Sequence, residues 1–526
     1  MGYNFGYYGQ RQPDKSLAEQ LLHPLPAVVG VDVETISKEN RTPIGLSIAV
    51  SPDEALYFPL LPEISPMFPW HVIADPSIKK VYHNAMFDLS ALLEYDPDTS
   101  NIADTLILAH LACMEGGLDM LDHLVGKEVV PAKELIAKYG SMLNVPQEEL
   151  SYKCCIDAAT ALALYFYFQD KVDMDYADIE FKVIPILIKM SKRGIKIDQE
   201  VRERMESKLQ KAIDFDLSVA NGMGFNPGSP KQVAYMLAKS KIFLPYTRSK
   251  RSLRTDEATL RRLDHPIATV VLGYRENSYL QSHYIMPLRR AHRVYSYFHM
   301  DAITGRISSS DRNLQNLPQG EVRNMLLPDS SIWTTLDYNQ QELRILAFLS
   351  QDDELVYNYE TGGDIHQLTA DFMGIPRLLA KSVNFSMIYG ATPETIMETA
   401  GIMSLVRASQ LIEMWFAKYK TAGLWIKEQQ ERGIADLKVK TIMGRTIALP
   451  ALESPEAIKR KAVNYTIQGS GAEIMKRAMI KCSHLDIALQ VYDSLLIDGK
   501  VELPGGLDCV SPVKTPVKVE YLKCWE

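Results

Sequence analysis

Apolar side chains crowd the segments Ala27–Glu34 and Pro43–Val50, which predicts two buried strands, the first carrying two acidic residues. Strand-like runs then alternate with helical periodicity to about residue 178, the pattern of an α/β unit. Within it, Ala161–Phe168 is apolar all round and reads as buried core. Residues 179–293 follow helical spacing, broken at Lys192-Arg193-Gly194 and at Asn226–Pro230. Beyond about residue 294, short strand-like segments (Trp333–Asp337 and Ala488–Asp493) bracket a long helical region. Residues 1–25, rich in Tyr, Gly and Gln, read as a loose tail. The expected division is thus a tail (1–25), an α/β unit (26–178), a helical unit (179–293) and an α+β unit (294–526), with no internal repeat.

Composition refines this only slightly. A chain of 526 residues is too long for one core. With 46% hydrophobic and 23% charged residues it is not a mostly disordered one. No apolar run approaches the roughly 18 residues of a membrane span, and Met1–Gly9 has no basic-then-apolar leader. The six cysteines form neither a CxxC pair nor a disulfide ladder, which fits a cytoplasmic location.

Charge changes the picture more. The net charge of −8 by itself argues against a nucleic-acid partner. By segment, however, residues 1–175 hold 11 basic and 25 acidic side chains, 176–294 hold 22 and 12, and 295–526 hold 24 and 28. The basic excess falls in the helical unit. Its densest stretch has Lys239, Lys241, Arg248, Lys250, Arg251 and Arg254 with no acid between them, and it suits contact with phosphates.

Asp32 and Glu34, two apart on the first strand, point the same way. Asp88 closes the segment Asn84–Asp88, and Asp157 is expected to open an apolar helix. Four acids brought together need cations, and Mg²⁺ or Mn²⁺ takes such oxygen ligands. Two ions about 3.5–4 Å apart activate water and stabilise the leaving oxygen of a phosphodiester. An isolated Asp-x-Glu carries little information; the ordered set of four resembles the DEDD-type 3′–5′ exonuclease domain. That resemblance implies that Asp32, Glu34, Asp88 and Asp157 hold the metals. The related subtype has a water-positioning Tyr four residues before the last Asp. Here Lys153 stands there, with Tyr152 one residue further back as the substitute candidate.

In the C-terminal unit, Leu336–Arg344 puts Asp337 at a strand end with a helix following, and Gln490–Ile497 puts Asp493 in a second strand or hairpin. Arg377, Lys381, Phe385 and Tyr389 recur every four residues after Gly374-Ile375-Pro376, so they share one side of a helix ending at Gly390. Cations at its N-terminal end suit a triphosphate, and rings at its other end suit a base and sugar.

These segments, with Thr304–Ser309, Asn313–Pro318, Asp364–His366, Thr441–Arg445 and Arg460–Gly469, resemble those of a family A (polymerase I-like) DNA polymerase. The resemblance covers nearly everything after about residue 26. It implies an RNase H-like exonuclease domain (26–178), then a right hand of thumb (179–293), palm and fingers (294–526, fingers about 350–470). It implies that Asp337 and Asp493, with the Tyr338 carbonyl, hold two Mg²⁺ or Mn²⁺ ions, as does the exonuclease site. Arg377, Lys381 and His366 would bind the triphosphate, with Lys381 protonating the leaving pyrophosphate. Phe385 would pack by the nucleotide, Tyr389 under the templating pair, and Glu342 against the sugar's 2′ position. Arg306, Asn313, Gln315, Asn316, Arg460, Asn464 and Gln468 would read the minor groove, where the acceptors shared by all pairs test shape rather than sequence.

The sequence departs from the family at Tyr492-Asp493-Ser494, where His-Asp-Glu is usual, at Arg312 for a Pro, and at Tyr279 for a thumb Lys. The resemblance implies primer–template DNA and dNTPs as ligands, a monomer, and replisome partners such as a helicase or single-strand-binding protein. The compact build, without a 5′ nuclease domain, suggests a phage or mobile-element replicase in a bacterial host cytoplasm. Two other readings stay open: a polymerase-like DNA-binding protein with decayed chemistry, and a ribonucleotide polymerase.

Overall fold

A computed structural model describes residues 4–7, 26–60, 70–114, 116–247, 251–390, 392–402 and 404–525. Among these, the N-terminal third is built on a six-stranded sheet in the order β1-β4-β3-β2-β5-β6, from β1 (Asn4–Tyr7), β2 (Val28–Thr35), β3 (Pro43–Ser51), β4 (Glu54–Pro59), β5 (Lys79–Tyr82) and β6 (Ile102–Asp104). The strand β1 corrects the expectation of a loose tail: its backbone pairs in parallel with β4, Asn4 opposite Glu54 through Tyr7 opposite Tyr57. A four-residue edge strand is too short to announce itself by alternation, and β4 supplies the pairing groups.

The helix Gln147–Gln169 lies across β2, β3 and β4 and is buried along most of its length. It approaches β2 closely because Gly30 has no side chain there: a Cβ on Gly30 would stand 2.2 Å from the Ala158 carbonyl oxygen. Gly30, Asp32 and Glu34 share one strand face, so the same approach carries both acids toward this helix.

A second helix, Met174–Arg193, packs on the helices Ala85–Ala91 and Thr105–Leu111 on one side and on the helix Pro455–Lys481 on the other. Gly194, at φ 59°, ends it where the break at Lys192–Gly194 is expected. The helical unit that follows is led by Gln199–Gly222 and Pro266–Leu280, which lie along each other over a separate small core including Phe225, Leu237 and Val271. Lys239, Lys241 and Arg251 are exposed at one end of this unit, while Arg254 donates to Asp256 at 2.7 Å. Arg248 and Lys250 lie outside the described residues.

The C-terminal unit centres on an antiparallel sheet in the order Ile487–Val491, Ser494–Asp498, Trp333–Tyr338, Val517–Leu522. Against it stands a set of helices from Gln341–Ser350 to Lys420–Asp436, then the long helix Pro455–Lys481. Among the described residues, no helix is long and apolar enough to cross a membrane.

The Met174–Arg193 and Pro455–Lys481 helices are joined by charge as well as by packing. Glu180 and Lys476 form an ion pair with side chains 4% and 2% exposed. Beside it, Glu473 accepts from the Tyr176 hydroxyl and from Thr441, both at 2.6 Å. Removing one member of such a pair strands the other charge, costing about 3–5 kcal/mol, whereas replacing both with apolar groups costs far less. Glu180→Met and Lys476→Met are each expected to destabilise the chain by about that amount in urea unfolding, and the double variant by much less. Additive losses would show that the pair is not a unit.

Candidate active sites

The first site forms where β2 faces the Gln147–Gln169 helix. Oxygens from Asp32, Glu34 and Asp157 lie within 4.8 Å of one another. Asp88 arrives from the other side. The β2–β5 ladder runs only from Val28 to Gly30, which leaves the Val33 N–H free of a strand partner there, and it donates to Asp88 Oδ1 at 2.9 Å. The short helix carrying Asp88 is itself aimed by Asp104, which accepts from the backbone N–H groups of Asn84 (3.0 Å) and Ala85 (2.8 Å). Asn84 takes a left-handed φ of 71° to turn into that helix.

Burial first, and then neighbouring carboxylates, raise the proton affinity of Asp32, Asp88 and Asp157. Burial, then the Asp157 and Glu34 charges, push Asp32 well above the ordinary carboxylate range. Burial, with Glu34 repulsion opposing the pull of Lys153, brings Asp157 to about 6. The Lys153 ammonium lies inside the cluster, bonded to Glu34 and, at 2.6 Å, to Asp157 Oδ2. Asp157 Oδ1 is buried and has no hydrogen-bond partner among the described residues.

Two expectations are corrected here. The apolar helix does not open at Asp157 but begins at Gln147, so Asp157 sits within it. Tyr152 is not brought to the acids: it is 45% exposed and lines clefts with residues such as Glu128 and Glu148. One residue along a helix turns the side chain by about 100°, so Lys153, on the same face as Asp157, points inward and Tyr152 outward.

The second site is a cavity of about 550 Å³ in which one wall is the strand pair and the other a helix. Asp337 stands opposite Ser494 in the register between Trp333–Tyr338 and Ser494–Asp498. The Tyr338 N–H donates to the Asp493 carbonyl at 3.0 Å, which fixes the two acids side by side at the sheet end. Tyr492, at φ 52°, makes the sharp turn that presents Asp493. Burial and then the charge of Asp337 bring Asp493 to about 6; burial likewise raises Asp337, against Lys518. The Tyr338 side chain is buried beneath, its hydroxyl bonded to the Leu507 carbonyl at 2.8 Å, so only its backbone reaches the acids.

Facing them, the helix Arg377–Ile388 puts Arg377, Lys381, Phe385 and, at its end, Tyr389 along the cavity. Arg377 also donates to Asp364 at 2.7 Å. The helix terminates at Gly390, φ 64°, where a Cβ would meet the Arg460 side chain at 3.1 Å. Glu342 is clamped: Arg306 donates to one of its oxygens and the Tyr389 hydroxyl to the other, each at 2.6 Å. Arg460, Asn464 and Gln468 follow one another at four-residue spacing on one stripe of the Pro455–Lys481 helix. Asn464 Oδ1 is buried without a hydrogen-bond partner among the described residues.

The state of His366 follows from its neighbours. Asn384 Oδ1 accepts the Trp415 indole N–H at 3.0 Å, a group that can only donate. The Asn384 amide nitrogen therefore faces His366 Nδ1, 3.0 Å away, and donates to it. Nδ1 accepts, so Nε2 carries the proton of a neutral ring. Burial agrees, bringing the imidazole to about 4.

Gln315 is a correction. It is 6% exposed, and its amide donates to the Gln490 side chain at 2.9 Å and to the backbone of Gln490 and Ile307. It ties the Asn313–Pro318 segment to the strand before Asp493, so its amide nitrogen is taken within the chain. Asn313 caps its own turn, and Asn316 accepts from the Tyr492 hydroxyl at 2.6 Å. Sequence reading missed Asn384, Asp104, Lys476 and the pairing of Lys153. Lys476 had a signal, a lysine three residues after Glu473 in an otherwise small and apolar stretch; the role of Asn384 had none.

A model of DNA polymerase family A matches residues 195–502, and one of 3′–5′ exonuclease matches residues 11–173. DNA polymerase I of Pseudomonas aeruginosa is 28% identical over 554 residues, covering 90% of this chain and 60% of that protein. Thermostable DNA polymerase I of Thermus filiformis is 30% identical, covering 83% and 58%. The chain thus spans about 60% or less of the curated relatives' length. A solved structure, the POL domain of Pol1 from M. smegmatis in complex with DNA primer-template and dNTP, shares the fold at a TM-score of 0.81, with 24% identity and 99% of each chain covered.

His366 is expected to stay neutral throughout pH 6–9. Histidine NMR should show its ring titrating well below the ordinary 6.5, and a His366 resonance moving near that value would contradict the Asn384 arrangement.

Proposed function

The chain belongs to DNA polymerase family A, and from that we propose that it extends a primer along a DNA template with dNTPs and trims 3′ ends at its N-terminal acidic site. In this reading residues 26–178 are the exonuclease domain, 179–293 the thumb, and 294–526 the palm and fingers, the fingers spanning about 350–470. The observation that carries it is the Asp337–Asp493 pair, locked by the Tyr338–Asp493 backbone bond, facing the Arg377–Tyr389 stripe across one cavity.

Asp493, pushed up by burial and by the Asp337 charge, and Asp337, pushed up by burial, are short of positive charge, which fits divalent cations. Asp337, Asp493 and the Tyr338 carbonyl would hold Mg²⁺ or Mn²⁺, which when bound would supply the positive charge that favours loss of the primer hydroxyl's proton and screens the phosphates.

The rest falls to side chains. Arg377 and Lys381 hold the triphosphate, and neutral His366 donates to it from Nε2. Lys381, exposed to the cavity, gives its proton to the departing pyrophosphate. Phe385 packs by the nucleotide and Tyr389 by the templating pair. Glu342, held from both sides, is a rigid wall where a 2′-hydroxyl would lie. Arg306, Asn313, Asn316, Arg460, Asn464 and Gln468 line the path of the newest base pairs, and Lys239, Lys241, Arg251 and Arg254 contact the phosphates behind them. At the other site, the cluster of Asp32, Glu34, Asp88 and Asp157 would hold the divalent metal for hydrolysis.

Asp493→Asn is expected to cut primer extension on the order of 10³-fold while primer degradation persists; Asp32→Ala should do the reverse. Extension surviving Asp493→Asn would sink the assignment. Glu342→Ala should raise incorporation of ribonucleotides in a mixed-pool assay, and an unchanged preference would argue against the wall. DNA affinity should fall linearly with salt on logarithmic axes despite the net charge of −8, and a flat dependence would contradict phosphate contacts by the basic unit.

A further inference from the structure

The N-terminal acidic cluster already contains a cation supplied by the chain. Lys153 lies one helical turn before Asp157 on the same face, and its ammonium joins Asp157 Oδ2 at 2.6 Å and Glu34 Oε1. All three side chains are 7–10% exposed, so these are buried contacts and not a solvated surface pair.

The two oxygens that Lys153 takes belong to two of the three acids whose oxygens lie within 4.8 Å of one another. Mg²⁺ binds oxygen at about 2.0–2.1 Å, so an ion on Glu34 Oε1 or Asp157 Oδ2 would press against the ammonium, charge against like charge. The cluster nevertheless keeps an open position. Asp157 Oδ1 is buried and unpartnered among the described residues, in a residue 6% exposed overall, and Asp32 completes the tight set of oxygens. Among the described residues, Asp32 Oδ2 has only the weak Cys154 thiol donor, at 3.3 Å.

We propose that the Lys153 ammonium stands in for one of the two divalent cations, so that this centre binds a single Mg²⁺ or Mn²⁺ on the Asp32–Asp157 side. The proposal rests on the exonuclease reading and amends its expected two ions to one. Lys153 is a positioning residue: it fixes Glu34 and Asp157 before any metal arrives.

The test counts bound Mn²⁺ by electron paramagnetic resonance in the full chain carrying Asp337→Asn and Asp493→Asn, which silence the second site. The ions of the cluster are those lost on adding Asp32→Ala. One such ion is expected with Lys153 present, one with Lys153→Arg, and two with Lys153→Met. Two ions with Lys153 in place, or none, would overturn the proposal. Thermal melting gives a second readout. In EDTA, Lys153→Met should melt below its parent, and Mn²⁺ should close most of that gap; equal melting in EDTA would also overturn it. Should Lys153→Met not fold, the parent's count alone decides. Primer degradation separates the two ideas. A parent with one ion that leaves 3′ ends intact removes the exonuclease reading and keeps the ammonium assignment. One that trims 3′ ends with two ions bound does the opposite.

Discussion

Carboxylates from distant parts of the chain are brought against one another, at the first site largely away from bulk water, and much of the architecture exists to make that tolerable. Each such group loses several kcal/mol of hydration on burial and repels its neighbours besides. A cluster of this kind persists only where backbone donors, counter-charges or bound cations restore what water supplied. The two sites meet this constraint differently. In the first, strand β2, a free backbone N–H and an internal lysine share the work. In the second, the acids sit at a sheet end open to a cavity, Asp493 raised in proton affinity by burial and by Asp337, with the opposing cations on another helix.

That difference separates a site that is partly neutralised beforehand from one that waits for its ligands. Arg377 and Lys381 face the Asp337–Asp493 pair across the cavity, so the second site has room for both phosphates and metals between opposite charges. The Glu342–Tyr389 bond spans the same gap, joining the Gln341–Ser350 helix to the end of the helix that carries those cations. Movement of that helix would have to break or carry this bond.

The two halves are also coupled mechanically. The Met174–Arg193 helix lies between the first sheet's helices and the Pro455–Lys481 helix, pinned by Glu180–Lys476 and Tyr176–Glu473. Across a second contact, Arg41 stacks 3.7 Å above the Tyr297 ring and donates to Ser90 at 2.6 Å. Polar contacts of fixed geometry at such a boundary set orientation more firmly than apolar packing alone, because a small rotation strands a buried charge.

Much of the fold was legible in the chain because periodicity and punctuation are local. The strand at Ala27–Glu34, the breaks at Gly194 and Asn226–Pro230, and the four-residue stripe from Arg377 to Tyr389 follow from backbone geometry and steric rules acting over a few residues. The candidate acids were legible for the same reason, as types at set spacings. What a side chain finally faces is not local. Tyr152 and Lys153 are adjacent in sequence, and only the seating of their helix on Gly30 decides which meets the acids. Gln315 reads as a groove contact until Gln490, far along the chain, takes its amide. The neutral state of His366 depends on Asn384, and that in turn on Trp415. The sequence determined which chemistry was present and on which elements; tertiary packing decided its charge state and its partners, since burial and pairing are set by groups that meet only in the fold.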